Sequence, residues 1–470
     1  MSDVFDVIVI GAGPAGENVV GRVTRGGLTA AVVEQDLAGG DCSYWACIPS
    51  KALLRPMELV AEVGRQPGLS VGPIDVPAVL ARRDEAVSGY DDSGQVRWLE
   101  SVHGTVIRGR GRIAGPRQVE VTAADGGKRL LTARHAVVLA TGSTPVIPRV
   151  PGLAAADPWL TKDATAVKEV PARLIVMGGG VAACELAQAL HALGAKETTL
   201  VVRKDRVLER TEPFAGEMVT ASLREAGIDV RFNTTIEKVE RPVPGSEVTV
   251  DLSDGTRLTA DEIMVATGRD PGSADMGLPL IGLPDGAPVA VDDSMRATEV
   301  EAGWLYAVGD VNNRSMLTHM GKYQARIAGD VIVARVAGAP DDLPSMRDRA
   351  DAMGSPQVIF TDPHVCAVGR TEERARRDGF NVRAVEYDIG LVTGAYLQAD
   401  GYKGRAKMVV DEDRRVLLGV TFVGPGIADL LHGATIAVTA EVPLDDLWHA
   451  IPVFPAVSEI WLRLLEAYGL

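Results

Sequence analysis

The sequence predicts an α/β protein in which a strand–glycine turn–helix–strand unit occurs twice, followed by an α+β domain. The first copy is Asp6-Val-Ile-Val-Ile10, Gly11-Ala-Gly-Pro-Ala-Gly16, an Ala/Val-rich helix and the strand Ala30-Ala-Val-Val-Glu34. The second repeats that order: Arg173-Leu-Ile-Val-Met177, Gly178-Gly-Gly-Val-Ala-Ala183, a helix through His191, then Thr198-Thr-Leu-Val-Val-Arg203. Apolar strands joined through a glycine turn and a helix form the Rossmann-like frame that holds a dinucleotide. Two copies imply two such sites.

In the first turn, Gly11 permits the sharp bend, Gly13 lets the backbone approach a pyrophosphate, and Gly16 allows close helix–strand contact. Pro14 and Ala15 open the helix, whose N-terminus faces the anion. Glu34 stands 18 residues after Gly16, where an acid reaches ribose hydroxyls. A structural glycine loop is the plainer alternative. In the second turn, Gly178 and Gly180 take the same places, but the third glycine is Ala183. The acid at the end of the second strand is replaced by Arg203. With Lys204 and Arg206 it suits a 2′-phosphate, hence NADPH rather than NADH, against the alternative of a solvated basic patch.

Between the two units, Ala136-Val-Val-Leu-Ala-Thr141-Gly142 reads as a strand ending in a turn, and Glu262-Ile-Met-Val-Ala-Thr-Gly268 echoes it. Pro145, Pro148 and Pro151 punctuate the crossing. Trp304-Leu-Tyr-Ala-Val-Gly309-Asp310 is a further strand with a Gly-Asp end. Strands at Gln357, Ala384, Ala406 and Val416, followed by helices, form the α+β domain.

At 470 residues the chain exceeds one ordinary core, and 46% hydrophobic with 24% charged residues is a globular balance. A net charge of −15 opposes a nucleic-acid or anionic-membrane partner. The opening Met-Ser-Asp-Val-Phe-Asp runs into an apolar strand without a signal-like core, and no run is long enough to span a bilayer. The expectation is a cytoplasmic protein. Four cysteines are too few for a secreted disulfide scaffold, so the close pair Cys42 and Cys47 draws interest. They lie within Gly39-Gly40-Asp-Cys42-Ser-Tyr-Trp-Ala-Cys47-Ile-Pro-Ser-Lys51. Thiols five positions apart at a helix start can form a reactive disulfide. Their spacing is poor for zinc, and no metal site is expected. Two buried structural thiols are the other reading.

Taken together, these motifs resemble the class I flavoprotein disulfide reductases, the pyridine nucleotide-disulfide oxidoreductase family. That family includes glutathione, mycothione and mercuric reductases and dihydrolipoamide dehydrogenase. The resemblance runs over essentially the whole chain and includes Ala266-Thr-Gly268-Arg269 and Ala307-Val-Gly309-Asp310. It implies FAD and NADPH as cofactors, Cys42 as the interchange thiol and Cys47 as the thiol nearest the flavin. It further implies Lys51 near flavin N5, paired with Glu185, and Asp310 on the ribityl chain. Residues 1–150 and 273–345 would form the FAD-binding domain, 151–272 the NADPH-binding domain, and 346–470 a dimerisation domain. The protein would be a homodimer, the C-terminal segment completing the partner's site. Val181 stands where several relatives carry a tyrosine lid.

One segment departs from the family. Its C-terminal His-Pro-Thr-x-x-Glu, often with a second histidine two residues earlier, becomes Pro452-Val-Phe454-Pro455-Ala-Val-Ser-Glu459. Phe454 replaces the acid–base histidine, Pro452 the earlier one, and only the orienting Glu459 remains. Loss of a general acid–base costs about 10²–10⁴ in rate. His449 is a candidate substitute, against a surface or packing role. Tyr44 and Trp45 between the cysteines, with Trp448 and Trp461, allow an aromatic acceptor pocket or simple packing. The expected function is electron transfer from NADPH through FAD to Cys42–Cys47 and an unidentified acceptor. The alternatives are a diaphorase-like reductase of quinones, dyes or metal ions, and a non-catalytic redox-sensing flavoprotein.

Overall fold

A computed structural model of the chain describes residues 3–470. Met1 and Ser2, part of the opening segment read above, lie outside the described residues. The chain divides into two compact units, each drawing on three stretches. One comprises Met1–Pro49, Asp84–Pro145 and Arg269–Ala352; the other comprises Ser50–Arg83, Val146–Gly268 and Met353–Leu470.

In the first unit, β1 (Val4–Ile10) pairs in parallel with β2 (Ala30–Glu34), which pairs in parallel with Gly104–Arg108. The connection from β1 to β2 is α1 (Pro14–Arg25), as a parallel crossover requires. The strand Lys128–Leu139 pairs with β1 through its second half and with an antiparallel meander through its first. Leu305–Ala307 adds on the far side of Lys128–Leu139. The sheet is apolar on both faces because both are covered. Ile8, Ile10 and Leu139 pack on one side; Val7, Val9 and Val32 pack on the other with Val19, Val23, Ala328 and Val331. The last two belong to the helix Thr318–Val336, which the sequence patterning did not reveal. Two helices follow β2: the short α2 (Gly40–Tyr44) carries Cys42, and the longer α3 (Cys47–Gly64) begins at Cys47. The cysteines therefore sit on two helices rather than at one helix start.

The second unit repeats the parallel arrangement with Asp229–Arg231, Glu197–Val201, Arg173–Met177 and Glu262–Val265. The strand expected to run to Arg203 ends at Val201, which leaves Arg203 on the following loop. The same unit holds a five-stranded antiparallel sheet. Its strand His364–Gly369, unread in the sequence, pairs with Val416–Gly424. Helices Leu430–Thr439 and Ile460–Tyr468 cover it.

Lys407 ties this sheet to the nucleotide-type fold of its own unit. Its Nζ lies 3.0 Å from Glu212 Oε2 and 2.7 Å from Glu372 Oε2, with Glu212 only 2% exposed. Lys407→Met strands a buried carboxylate and should cost about 3–5 kcal/mol in urea unfolding followed by far-UV circular dichroism. Lys407→Met/Glu212→Leu should recover most of that loss; equal losses in the two variants would contradict the pairing.

Candidate functional site

The first glycine turn is shaped by backbone contacts that exclude side chains. Gly11 has φ +101°, and a Cβ there would lie 2.3 Å from the Ala140 carbonyl oxygen. A Cβ on Gly16 would lie 1.9 Å from the Gly11 oxygen. Gly13 is the N-cap of α1, no side chain caps that end, and Pro14 begins the helix beside Ala15. The amides there face outward for an anion. Glu34, nearly buried, accepts from Ala12 N at 2.7 Å and from Asp36 N at 2.8 Å. Burial pushes its carboxyl up, while these amides hold it down. Gly40 approaches the turn so closely that a Cβ on it would sit 2.8 Å from Gly13 Cα.

Thr141 and Gly142 close the strand beside this turn. Thr141 Oγ1 is shut away from solvent without a hydrogen-bond partner, and Gly142 takes φ +67° with open space where a Cβ would stand. Next to them runs a polar chain that sequence patterning had only half disclosed. Arg269 donates to Ser143 Oγ at 2.7 Å and to Asp41 Oδ2 at 2.6 Å, and Ser143 Oγ donates to Asp310 Oδ2 at 2.6 Å. Arg269 and Asp310 were expected site residues; Asp41 and Ser143 were not. Burial raises the Asp310 carboxyl, opposed by Ser143 and by the Arg269 charge. Gly309 N donates at 2.8 Å to the buried Gln324, which fixes the loop bearing Asp310.

Cys42 and Cys47 are brought together in the same unit, both as thiols. Their mutual hydrogen bond raises the Cys42 pKa most, followed by burial, while Thr318 and the charge of Lys322 lower it. Thr318 Oγ1 lies 3.4 Å from Cys47 Sγ, at the first turn of the helix Thr318–Val336. No local sequence signal marked Thr318. Tyr44 and Trp45 turn into packing: Tyr44 is buried with its hydroxyl 3.0 Å from Gln95, and Trp45 stacks on Tyr90.

In the second unit, Gly178 has φ +137°, and a Cβ there would lie 2.3 Å from the Ala266 oxygen, beside Gly268. Gly180 caps the helix Val181–Leu193 with open space at its Cα, and Ala183 is buried within it. Arg203 is exposed, Lys204 pairs with Glu209 at 3.1 Å, and Arg206 donates to the Glu209 carbonyl at 3.1 Å. Lys51 Nζ meets Glu185 Oε2 at 2.7 Å. The other oxygen of Glu185 accepts from Phe360 N at 2.8 Å, and Lys51 lies 5.0 Å from the Phe360 ring centroid. The expected pair therefore exists, held by a residue the sequence did not point to.

The C-terminal segment carries no imidazole at its tip. Phe454 is 71% exposed, between the exposed Val453 and the buried Glu459. Glu459 Oε1 accepts from Arg463 at 2.6 Å, which occupies the acid with a cation of its own helix. His449 is exposed, and Trp461 packs edge-on against Phe422 in the core rather than lining a pocket. Among the described residues no cluster of three His, Cys, Asp or Glu side chains could hold a metal, and no helix is long and apolar enough to cross a membrane.

Residues 5–325 match the model of the pyridine nucleotide-disulphide oxidoreductase family, and 355–464 match its dimerisation domain. The chain is 31% identical over 470 residues to a dihydrolipoyl dehydrogenase of Thermus scotoductus, covering 98% of this chain and 97% of the relative. It is 31% identical over 474 residues to a mercuric reductase of Shigella flexneri, covering 98% and 79%. Among solved structures, the Cu(II) complex of the HOCl-induced flavoprotein disulfide reductase RclA from Escherichia coli superposes with a TM-score of 0.84 at 22% identity, over 99% of both chains.

Ser143 opposes the rise that burial imposes on the Asp310 carboxyl, so Ser143→Ala should move the Asp310 titration to still higher pH. Carboxyl-carbon NMR checks this. An unmoved titration would remove Ser143 from the network.

Proposed function

This chain belongs to the pyridine nucleotide-disulphide oxidoreductase family, and on that premise we propose that it carries electrons from NADPH through FAD to the Cys42–Cys47 pair and on to a disulfide acceptor. Membership makes it a flavoprotein oxidoreductase dependent on a pyridine nucleotide. The observation that carries the finer reading is the thiol pair itself. Cys42 and Cys47 are hydrogen-bonded to each other and contacted by Thr318, in the same compact unit as the first glycine turn.

The residues of that unit fit FAD. The backbone of Gly11–Gly16 leaves room for a pyrophosphate at the N-terminus of α1, Glu34 offers a ribose acceptor, and the orphaned Thr141 hydroxyl lacks a partner that a bound polar group would supply. When bound, FAD accepts hydride from the nicotinamide and delivers electron pairs to a disulfide. Asp310, oriented by Ser143 and Gly309, would hold the ribityl hydroxyls. Lys51, its ammonium fixed by the buried Glu185, would serve the flavin as the family resemblance implies. Arg203 is the exposed cation offered to a 2′-phosphate, since Lys204 is engaged by Glu209.

The match to a dimerisation domain supports a homodimer. So does the run Ile451, Val453 and Phe454, exposed by 85%, 72% and 71%, which is costly to leave in water. A second reading, direct reduction of quinones or dyes, draws on Phe454, because an apolar ring at that position cannot exchange protons with a thiol.

Two variants separate these readings. Cys42→Ser should abolish disulfide turnover while leaving quinone turnover; loss of neither would favour the diaphorase reading. Arg203→Glu should raise the KM for NADPH at least tenfold more than that for NADH, as expected for about 1.4 kcal/mol or more of lost phosphate binding. Equal effects on both nucleotides would contradict NADPH selection.

A further inference from the structure

The Lys51–Glu185 pair forms one side of a closed circuit of contacts within the second unit. The opposite side is the segment Phe360-Thr-Asp-Pro-His364, which is fastened to two helices. On the helix Val181–Leu193, Glu185 Oε1 accepts from Phe360 N at 2.8 Å, and Gln188 Oε1 accepts from Asp362 N at 2.9 Å. On α3, Lys51 Nζ lies 5.0 Å from the Phe360 ring centroid, and Glu58 Oε1 lies 3.2 Å from His364 Nε2. Arg65, just past the end of α3, forks onto Asp362 at 2.8 and 3.1 Å. Lys51 and Glu58 are seven positions apart, about two helical turns, so they share one face of α3. Phe360 and His364 also touch each other, edge-on, with ring centroids 5.6 Å apart.

Each contact in the circuit constrains the next. The hydrogen bond from His364, opposed by burial and aided by Arg55, lowers the Glu58 carboxyl to about 2, so Glu58 is a standing acceptor. Its other oxygen takes Arg55 at 2.6 Å. His364 is buried, and its Nδ1 is closed off from solvent with no hydrogen-bond partner among the described residues. Glu58 is thus the polar anchor of the imidazole and sets the plane of its ring. The imidazole in turn packs edge-on against Phe360 and limits how that ring can tilt. Phe360 serves Lys51 twice: its ring lies under the ammonium, and its amide holds the carboxylate paired with that ammonium. Gln188 and Arg65 fasten the backbone and Asp362 between the two rings, which leaves the orientation of Phe360 to His364.

We infer, on the reading that Lys51 serves the flavin, that His364 is a positioning residue for the Lys51 ammonium, acting through the Phe360 ring and held by Glu58. A cation fixed beside a flavin favours its reduced form, which carries more negative charge, and so raises its potential. In His364→Leu the Phe360 ring loses its aromatic edge contact, and the ammonium loses a fixed platform. Glu185 still attracts the cation, but a four-carbon side chain with one anchor samples more positions than one with two. The cation is then less often at the place where it acts.

The test is the midpoint potential of the flavin in the flavin-loaded protein, read from its visible absorption during anaerobic equilibration with redox dyes, in a double-mutant cycle. His364→Leu should lower the equilibrium constant for flavin reduction about tenfold, about 30 mV for two electrons, and Lys51→Met should lower it further. Added to Lys51→Met, His364→Leu should change it by less than about twofold, because the group it acts through is gone. Glu58→Ala, on a partly exposed side chain, keeps the proposal testable should His364→Leu fold poorly. It should lower the potential by a smaller step, again only where Lys51 is present. A shift of equal size with and without Lys51, or a potential unmoved by both His364→Leu and Glu58→Ala, would overturn the proposal alone. A potential unmoved by Lys51→Met would overturn the reading of Lys51 beside the flavin, and the proposal with it.

Discussion

The parallel packing of α1 against the helix Thr318–Val336 is the constraint on which the first unit's chemistry depends. Small residues make it possible: Ala15 against Gly321 and Gly309, and Gly329 against Arg22. A Cβ at Gly329 would lie 2.6 Å from Arg22 Cβ, too close for the two helices to keep their approach. Because the helices run the same way, their positive ends coincide, each contributing roughly half an elementary charge. One end serves the glycine turn and its anion; the other meets the thiols through Thr318. A thiolate or a phosphate is therefore favoured before any charged side chain acts.

Within each unit the charges are arranged in linked networks rather than as isolated pairs. Asp41, next to Cys42, anchors Arg269, and Arg269 orders Ser143 and through it Asp310. In the second unit, Glu185 is satisfied twice, by the Lys51 ammonium and by the Phe360 amide. A buried carboxylate with both oxygens engaged is a rigid anchor, whereas an exposed pair contributes little. The C-terminal segment is the reverse case. Glu459 is anchored to Arg463, but the Phe454 ring has nothing to donate or accept.

The residues legible in the sequence are those whose chemistry is local. Gly11, Gly13 and Gly16 announce a turn by spacing alone, Glu34 follows from the strand's end, and Cys42 and Cys47 declare themselves by proximity. The illegible ones act across long separations. Thr318 meets Cys47 over 271 positions, and Ser143 meets Asp310 over 167. The helix Thr318–Val336 escaped because its apolar positions are spread around the axis and two glycines interrupt it, so periodicity gave no stripe. Arg203 was placed one loop early because a Val-rich strand has no intrinsic stop signal before it. Tyr44 and Trp45 left pocket and packing equally open in the sequence, because which way an aromatic ring turns is decided by distant partners such as Gln95 and Tyr90.

The proposed electron path passes through Cys47 and Cys42. Anaerobic titration of the flavin-loaded protein with NADPH, followed by visible absorption, tests that path. Addition of one NADPH per flavin should produce a long-wavelength band of a thiolate lying against oxidised flavin, and Cys47→Ser should lack it. Bleaching straight to reduced flavin with no such band in the wild-type protein would contradict the path.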